Sequence, residues 1–235
     1  MPPSTVKSAG LSGLRDSLPF WLVIGPFAML FGVVAMESGL SLLQTMAMTL
    51  VVISGAAQFT ALQLMLDGAG LGLILGGALA VSLRMAMYSA ALVPHLGAAP
   101  LWQRALCSYL MFDQPYALSV ARYESRTEPL ATRVAYYLGV GLPMAAMWTA
   151  MTAVGALVGR RLPEGLALDF ALPITFIALF APMLRTRAHV AAAVTSAAVA
   201  LALAWLPSGA GLLIAAAVAM AVGAGVETLQ ARRRP

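Results

Sequence analysis

Along this chain the charged positions punctuate long apolar runs. Residues 17–36, 38–66, 134–159 and 170–184 carry no charge. Residues 68–93 carry only Arg84, residues 101–120 only Arg104 and Asp113, and residues 188–226 only His189. About 20 consecutive apolar residues make a helix long enough to cross the hydrocarbon core of a bilayer. The last run is about twice that length and contains Leu206-Pro207-Ser208-Gly209, a turn-forming sequence, so it reads as two helices. The pattern predicts an all-α, polytopic membrane bundle with helices near 17–36, 43–65, 70–92, 101–120, 134–158, 167–184, 189–206 and 210–228. Seven spans, or a variant with a re-entrant hairpin, fit the same pattern. The first run is longer than a signal-peptide core of about 7–15 residues and has no Ala-x-Ala site, so it reads as a retained span.

Composition narrows the class. The chain is 61% hydrophobic and 10% charged, against roughly 45–50% and about 25% in soluble domains. That excludes a soluble enzyme, a disordered chain and a disulfide scaffold. A single cysteine, Cys107, and two histidines, His95 and His189, leave no expectation of a metal site or cofactor. No Gly-x-Ser-x-Gly, His-Glu-x-x-His or Walker pattern occurs, and the loops are short, so no enzyme is expected.

The net charge of +5 reads as topology rather than nucleic-acid binding. With eight spans and a cytoplasmic N-terminus, Lys7, Arg15, Arg122, Arg126, Arg133, Arg185, Arg187, Arg232, Arg233 and Arg234 fall inside. Arg104, Arg160 and Arg161 fall outside, with His95 in a short outer loop. That positive-inside bias places both termini in the cytoplasm of a cell (inner) membrane protein. The expected division is a cytoplasmic segment 1–16, a transmembrane domain 17–228 and a basic tail 229–235. A faint repeat suggests halves 17–120 and 134–228. Gly39-Leu40-x-Leu42 and Thr49 recur as Gly165-Leu166-x-Leu168 and Thr175 at an offset of 126, and Leu18-Pro19 as Leu142-Pro143 at 124.

Two charges stand inside runs. A central arginine costs at least about 2.5–3.5 kcal/mol on insertion scales, so Arg84 needs a partner or a wet cavity, and its fork suits a carboxylate. Asp113, in low dielectric, is a candidate proton carrier or counter-charge for an ammonium. A static Arg84–Asp113 pair is the structural alternative. Pro115 is expected to free a backbone carbonyl nearby. In Ser54-Gly55-Ala56-Ala57-Gln58-Phe59 the small residues permit close approach, and Gln58 offers a donor and an acceptor. Gly72-x-x-x-Gly76 reads as a helix-contact face. Tyr88, Tyr109, Tyr116, Trp21, Trp148 and Trp205 read as packing or interface aromatics.

Several motifs together resemble the AzlC-type branched-chain amino acid permease family, most closely over residues 18–122. They are Gly39-Leu-Ser-x-x-Gln44, Ser54-Gly-Ala-Ala-Gln-Phe59, Leu83-Arg84-x-x-x-Tyr88 with Pro94-His95, and Asp113 followed by aromatic-Ala-Leu. The resemblance implies export of branched-chain and related apolar amino acids, with a small AzlD-type membrane subunit as partner. The chain departs from the family at Ser82, usually Asn, and at Gln114, usually Glu, so one carboxylate stands where two are usual. On this reading the ligands are a small amino acid and the lipid bilayer, with no nucleic acid, and a homo-oligomer is left open. Arg84 and Gln58 hold the substrate carboxylate, with Tyr88 beside them. Asp113 and Pro115 face the ammonium or the proton, and Gly55, Ala56 and Ala57 leave room for the aliphatic group. An uncoupled channel or facilitator and a non-transporting scaffold subunit are the alternatives.

Overall fold

The computed structural model describes residues 5–159, 184, 186–206 and 210–232. The predicted helix at 167–184, Arg160, Arg161, Arg185, the turn at Pro207 and the second copy of the Gly-Leu-x-Leu repeat lie outside these residues, apart from Leu184 itself. Regular structure among the described residues is entirely helical, as the pattern predicts. In chain order the helices are α1 (Val6–Glu37), α2 (Leu42–Val51), α3 (Gly55–Leu66), α4 (Leu71–Leu96), α5 (Leu101–Tyr109), α6 (Asp113–Ser125), α7 (Leu130–Gly159), α8 (Arg187–Ala202) and α9 (Ala210–Arg232). They divide into two compact units, one of residues 1–59 and 79–164, the other of residues 60–78 and 165–235.

In the first unit α1 and α7 form a close pair. Gly13 lies against the Tyr136 carbonyl, and Gly139 against Gly10. Gly32 lies against Thr152, and a Cβ on it would stand 2.6 Å from the Ala156 nitrogen. Gly155 lies against the backbone of Met29. Contact numbers rise together along both helices, so the pair is parallel, and glycine permits the backbones to approach. The Leu18-Pro19 and Leu142-Pro143 repeat falls on these two helices. α1 starts eleven residues before the apolar run because Ala9, Gly13 and Ser17 are buried, and Thr5 caps it by accepting from the Ser8 N–H at 3.2 Å.

Two predicted spans are broken. The run 38–66 divides into α2 and α3 at Val52-Ile53-Ser54, and the run 101–120 into α5 and α6 at Leu110-Met111-Phe112. α2 opens with a capping box, Ser41 N–H to Gln44 Oε1 at 2.8 Å and Gln44 N–H to Ser41 Oγ at 3.3 Å. This explains the Ser-x-x-Gln spacing locally. The second break is a hairpin. Arg104 donates to the Gly97 carbonyl at 3.3 Å, α5 rises to Leu110 beside Gly141, and α6 returns to bring the Tyr123 hydroxyl to the Arg133 carbonyl at 2.8 Å. Tyr137, fully buried, closes the top by donating toward the carbonyls of Cys107 (3.1 Å) and Leu110 (3.3 Å).

Leaving a buried acceptor unpaired costs about 1–3 kcal/mol. Tyr137→Phe should therefore lower the thermal midpoint of the purified protein without preventing its extraction. An unchanged midpoint would show that the hairpin top is held by packing alone.

These contacts orient α4. Arg84 and Tyr88 meet Asp113, and the His95 ring lies 5.2 Å from Tyr123, so α4 runs parallel to α6 and opposite to α1 and α7. α1, α4 and α7 are the three helices among the described residues long and apolar enough to cross a membrane. His95 lies in the last turn of α4 rather than in a loop, at the level of the α1 and α7 starts, with Arg104 near it. The run 101–120 folds as a helix hairpin rather than as one continuous helix.

In the second unit α8 and α9 pair antiparallel, with Gly223 beside Ala192 and Gly211 beside Leu203. Gly77 packs on Leu64, while Cβ atoms at Gly72 and Gly76 would meet nothing within 4 Å. Among the described residues the Gly-x-x-x-Gly face of α4 therefore meets no helix.

Candidate functional site

The α5–α6 hairpin carries Asp113 as the first residue of α6, so a carboxylate sits where helix N–H groups are unpaired and the helix dipole favours it. Across from it, α4 presents Arg84 and Tyr88 one turn apart. The Arg84 Nη2 stands 3.4 Å from Asp113 Oδ2, and the Tyr88 hydroxyl donates to Asp113 Oδ1 at 2.9 Å. Tyr88 and Tyr116 stack with ring centres 4.1 Å apart and planes 12° from parallel. The static pair is thus real, but it is a loose one. Arg84 is 34% and Asp113 42% exposed by side chain, and Arg84 Nε is buried with no partner among the described residues. The guanidinium keeps donors for a second anion.

Pro115 does not free a carbonyl by interrupting a helix. It is the third residue of α6, where its missing N–H would be unpaired in any helix, so it starts the helix. The carbonyls at the end of α5 are those that Tyr137 engages.

The second break meets the first. The Tyr109 hydroxyl, at the end of α5, donates to the Leu50 carbonyl near the end of α2 at 2.6 Å. Beyond it, Gln58 is fully buried and donates through Nε2 to the Val52 carbonyl at the break. The structure therefore uses this amide to hold the break. The space at Gly55 is occupied: a Cβ there would stand 2.5 Å from Trp148 Cη2 and 3.3 Å from Phe27. Phe27 lies 4.9 Å from Phe59 and 5.8 Å from Trp148, and Phe31 lies 5.2 Å from Phe59. Ala57 is fully buried and Ala56 partly so. The predicted residues thus form two groups, Arg84–Tyr88–Asp113 with Pro115 behind, and Gly55–Gln58 at the other break.

Tyr116, Tyr109 and Trp148 sit at these breaks although they read from sequence as packing, and Tyr137 and Phe27 join them without having been singled out. A tyrosine or tryptophan in an apolar run carries no mark of the distant carbonyl or glycine it will meet.

At the N-terminal side a third cluster holds the hairpin's return. Arg122 makes two bonds to Glu128, Nε–Oε2 at 3.0 Å and Nη2–Oε1 at 2.8 Å, and a third to Ser12 Oγ at 3.1 Å. Its guanidinium lies 4.3 Å over the Tyr136 ring, whose hydroxyl donates to Asp16 at 2.8 Å. The bonds with Glu128 push the Arg122 pKa above its already high ordinary value, so this charge persists at any working pH.

Comparison with known proteins gives the kinship of the chain. The sequence-family model described as AzlC protein matches residues 19–162. The chain is 30% identical over 211 residues to an uncharacterized membrane protein of Archaeoglobus fulgidus, covering 88% of this chain and 90% of the relative. It is 24% identical over 184 residues to the inner membrane protein YgaZ of Escherichia coli, covering 74% and 73%. No solved structure matches it.

Proposed function

Because the chain belongs to the AzlC family, we propose that it is a secondary transporter that exports branched-chain or related apolar amino acids across the cell membrane, with both termini cytoplasmic. The observation that carries this reading is the half-exposed Arg84–Asp113–Tyr88 group at the tip of a helix hairpin. Non-helical backbone at membrane depth persists where protein or a wet path surrounds it, and broken helices are how secondary transporters build substrate sites.

The chemistry follows from the donors. A substrate carboxylate takes the free edge of Arg84, which Asp113 holds at one point only. Asp113, released from the arginine but still bonded to Tyr88, receives the ammonium. A proton on Asp113 removes that counter-charge, so proton and substrate exclude each other at one acid. Such exclusion is what export against an inward proton gradient requires, and it needs one carboxylate, consistent with Gln114 in place of a second. Within this proposal a small AzlD-type subunit is the partner.

Leucine counterflow in proteoliposomes tests it. Arg84→Ala should reduce counterflow at least about tenfold, the effect of losing roughly 1.4 kcal/mol of binding. Asp113→Asn should abolish accumulation driven by a proton gradient. Undiminished counterflow by Arg84→Ala would sink the carboxylate clamp. Gradient-independent flux in the wild type would make the protein a facilitator, and no flux with capture of a small membrane protein would make it a scaffold subunit.

A further inference from the structure

We infer that the break between α2 and α3 is a second, occluded station for the same zwitterionic, apolar amino acid, an inference that rests on the transporter reading above. Three buried polar atoms there have no hydrogen-bond partner among the described residues: Ser54 Oγ, Gln58 Oε1 and Trp148 Nε1. They belong to one junction. Ser54 precedes Gly55, Gly55 lies against the Trp148 ring, and Gln58 follows Ser54 by one turn, its N–H bonded to the Ser54 carbonyl at 2.9 Å. Gln58 is 0% and Ser54 3% exposed. Each unmade bond in an apolar surrounding is costly, and close packing alone gives no reason for three at one helix break.

The set has a chemical meaning. Trp148 can only donate, Gln58 Oε1 can only accept, and Ser54 can do either. α3 begins at this point, and the N–H groups of its first turn and its dipole favour an anion. A carboxylate suits Trp148, Ser54 and the helix start, an ammonium suits Gln58 Oε1, and Phe27 and Phe59 offer an apolar wall. No formal charge stands among these residues, so a ligand of net charge is disfavoured and a zwitterion of net zero is accommodated. The Tyr109–Leu50 bond joins this break to the one bearing Asp113, so the two groups are neighbours.

Leucine binding to the purified chain in nanodiscs, and counterflow, give the test. Trp148→Phe keeps a ring, removes the N–H and fits the space. It should weaken leucine binding about tenfold, one hydrogen bond by affinity arithmetic, with an unchanged thermal midpoint. In Arg84→Ala, weak residual binding should persist, and adding Trp148→Phe should remove it. A variant with Trp21, Trp102 and Trp205 replaced by Phe should show leucine-dependent emission from Trp148, a readout that needs no destabilising change. If the wild type transports but Trp148→Phe binds normally and the emission is silent, this station is overturned while the transporter reading stands. A wild type that binds no amino acid overturns both.

Discussion

Gly155→Val should leave almost no folded protein. A Cβ at this position points at backbone, standing 2.7 Å from the carbonyl carbon and 2.8 Å from the Cα of Met29, and closer still to the carbonyl oxygen. No rotamer relieves a clash with backbone, so α1 and α7 must part, and the first unit is built around their seam. Overpacking in a close-packed core costs about 1–3 kcal/mol even where side chains can give; here they cannot. The expected result is loss of the monodisperse peak on size exclusion. Gly25→Ala on the same pair should be tolerated, since its nearest atoms are the flexible ends of Met147 at 3.7 Å and Met151 at 3.8 Å. Gly72→Ala in α4 meets nothing within 4 Å and should be neutral or stabilising by about 0.5–1 kcal/mol. A stable Gly155→Val would mean that the seam is far looser than its backbone contacts indicate.

That contrast marks what was legible in the sequence. Long uncharged runs gave the all-helical membrane class, because no other backbone satisfies its hydrogen bonds in lipid. Arg84 and Asp113 stood out because a charge inside such a run has few innocent explanations, and the structure places them together. The Gly-x-x-x-Gly spacing on α4, by contrast, meets nothing among the described residues, while glycines that pack closely are on α1 and α7, far apart in sequence. The over-long run 38–66 left room for a break at Gly55, but neither break could be placed from local signals. Val52-Ile53-Ser54 and Leu110-Met111-Phe112 contain neither proline nor glycine, and the breaks are held from a distance by Gln58, Tyr109 and Tyr137. Trp148 needed the glycine it covers, which lies on another helix.

Removing either member of the Arg122–Glu128 pair should destabilise the protein by about 3–5 kcal/mol, because the remaining charge is left buried and unpaired. Both side chains are under a tenth exposed, 8% and 7%, and the geometry is bidentate. Arg122 also ties α6 to α1 through Ser12 and covers Tyr136 on α7. Its loss therefore frees the returning limb of the hairpin, whose other end carries Asp113. Arg122→Ala and Glu128→Ala should each lower the thermal midpoint sharply. The apolar double variant Arg122→Met/Glu128→Leu should recover most of that loss, since replacing a buried pair as a unit is often neutral. Tyr136→Phe, which removes only the bond to Asp16, should cost far less. Strict additivity of the two single losses in the double variant would show that the charges act separately, and the pair could not then be what fastens α6 to the α1–α7 seam.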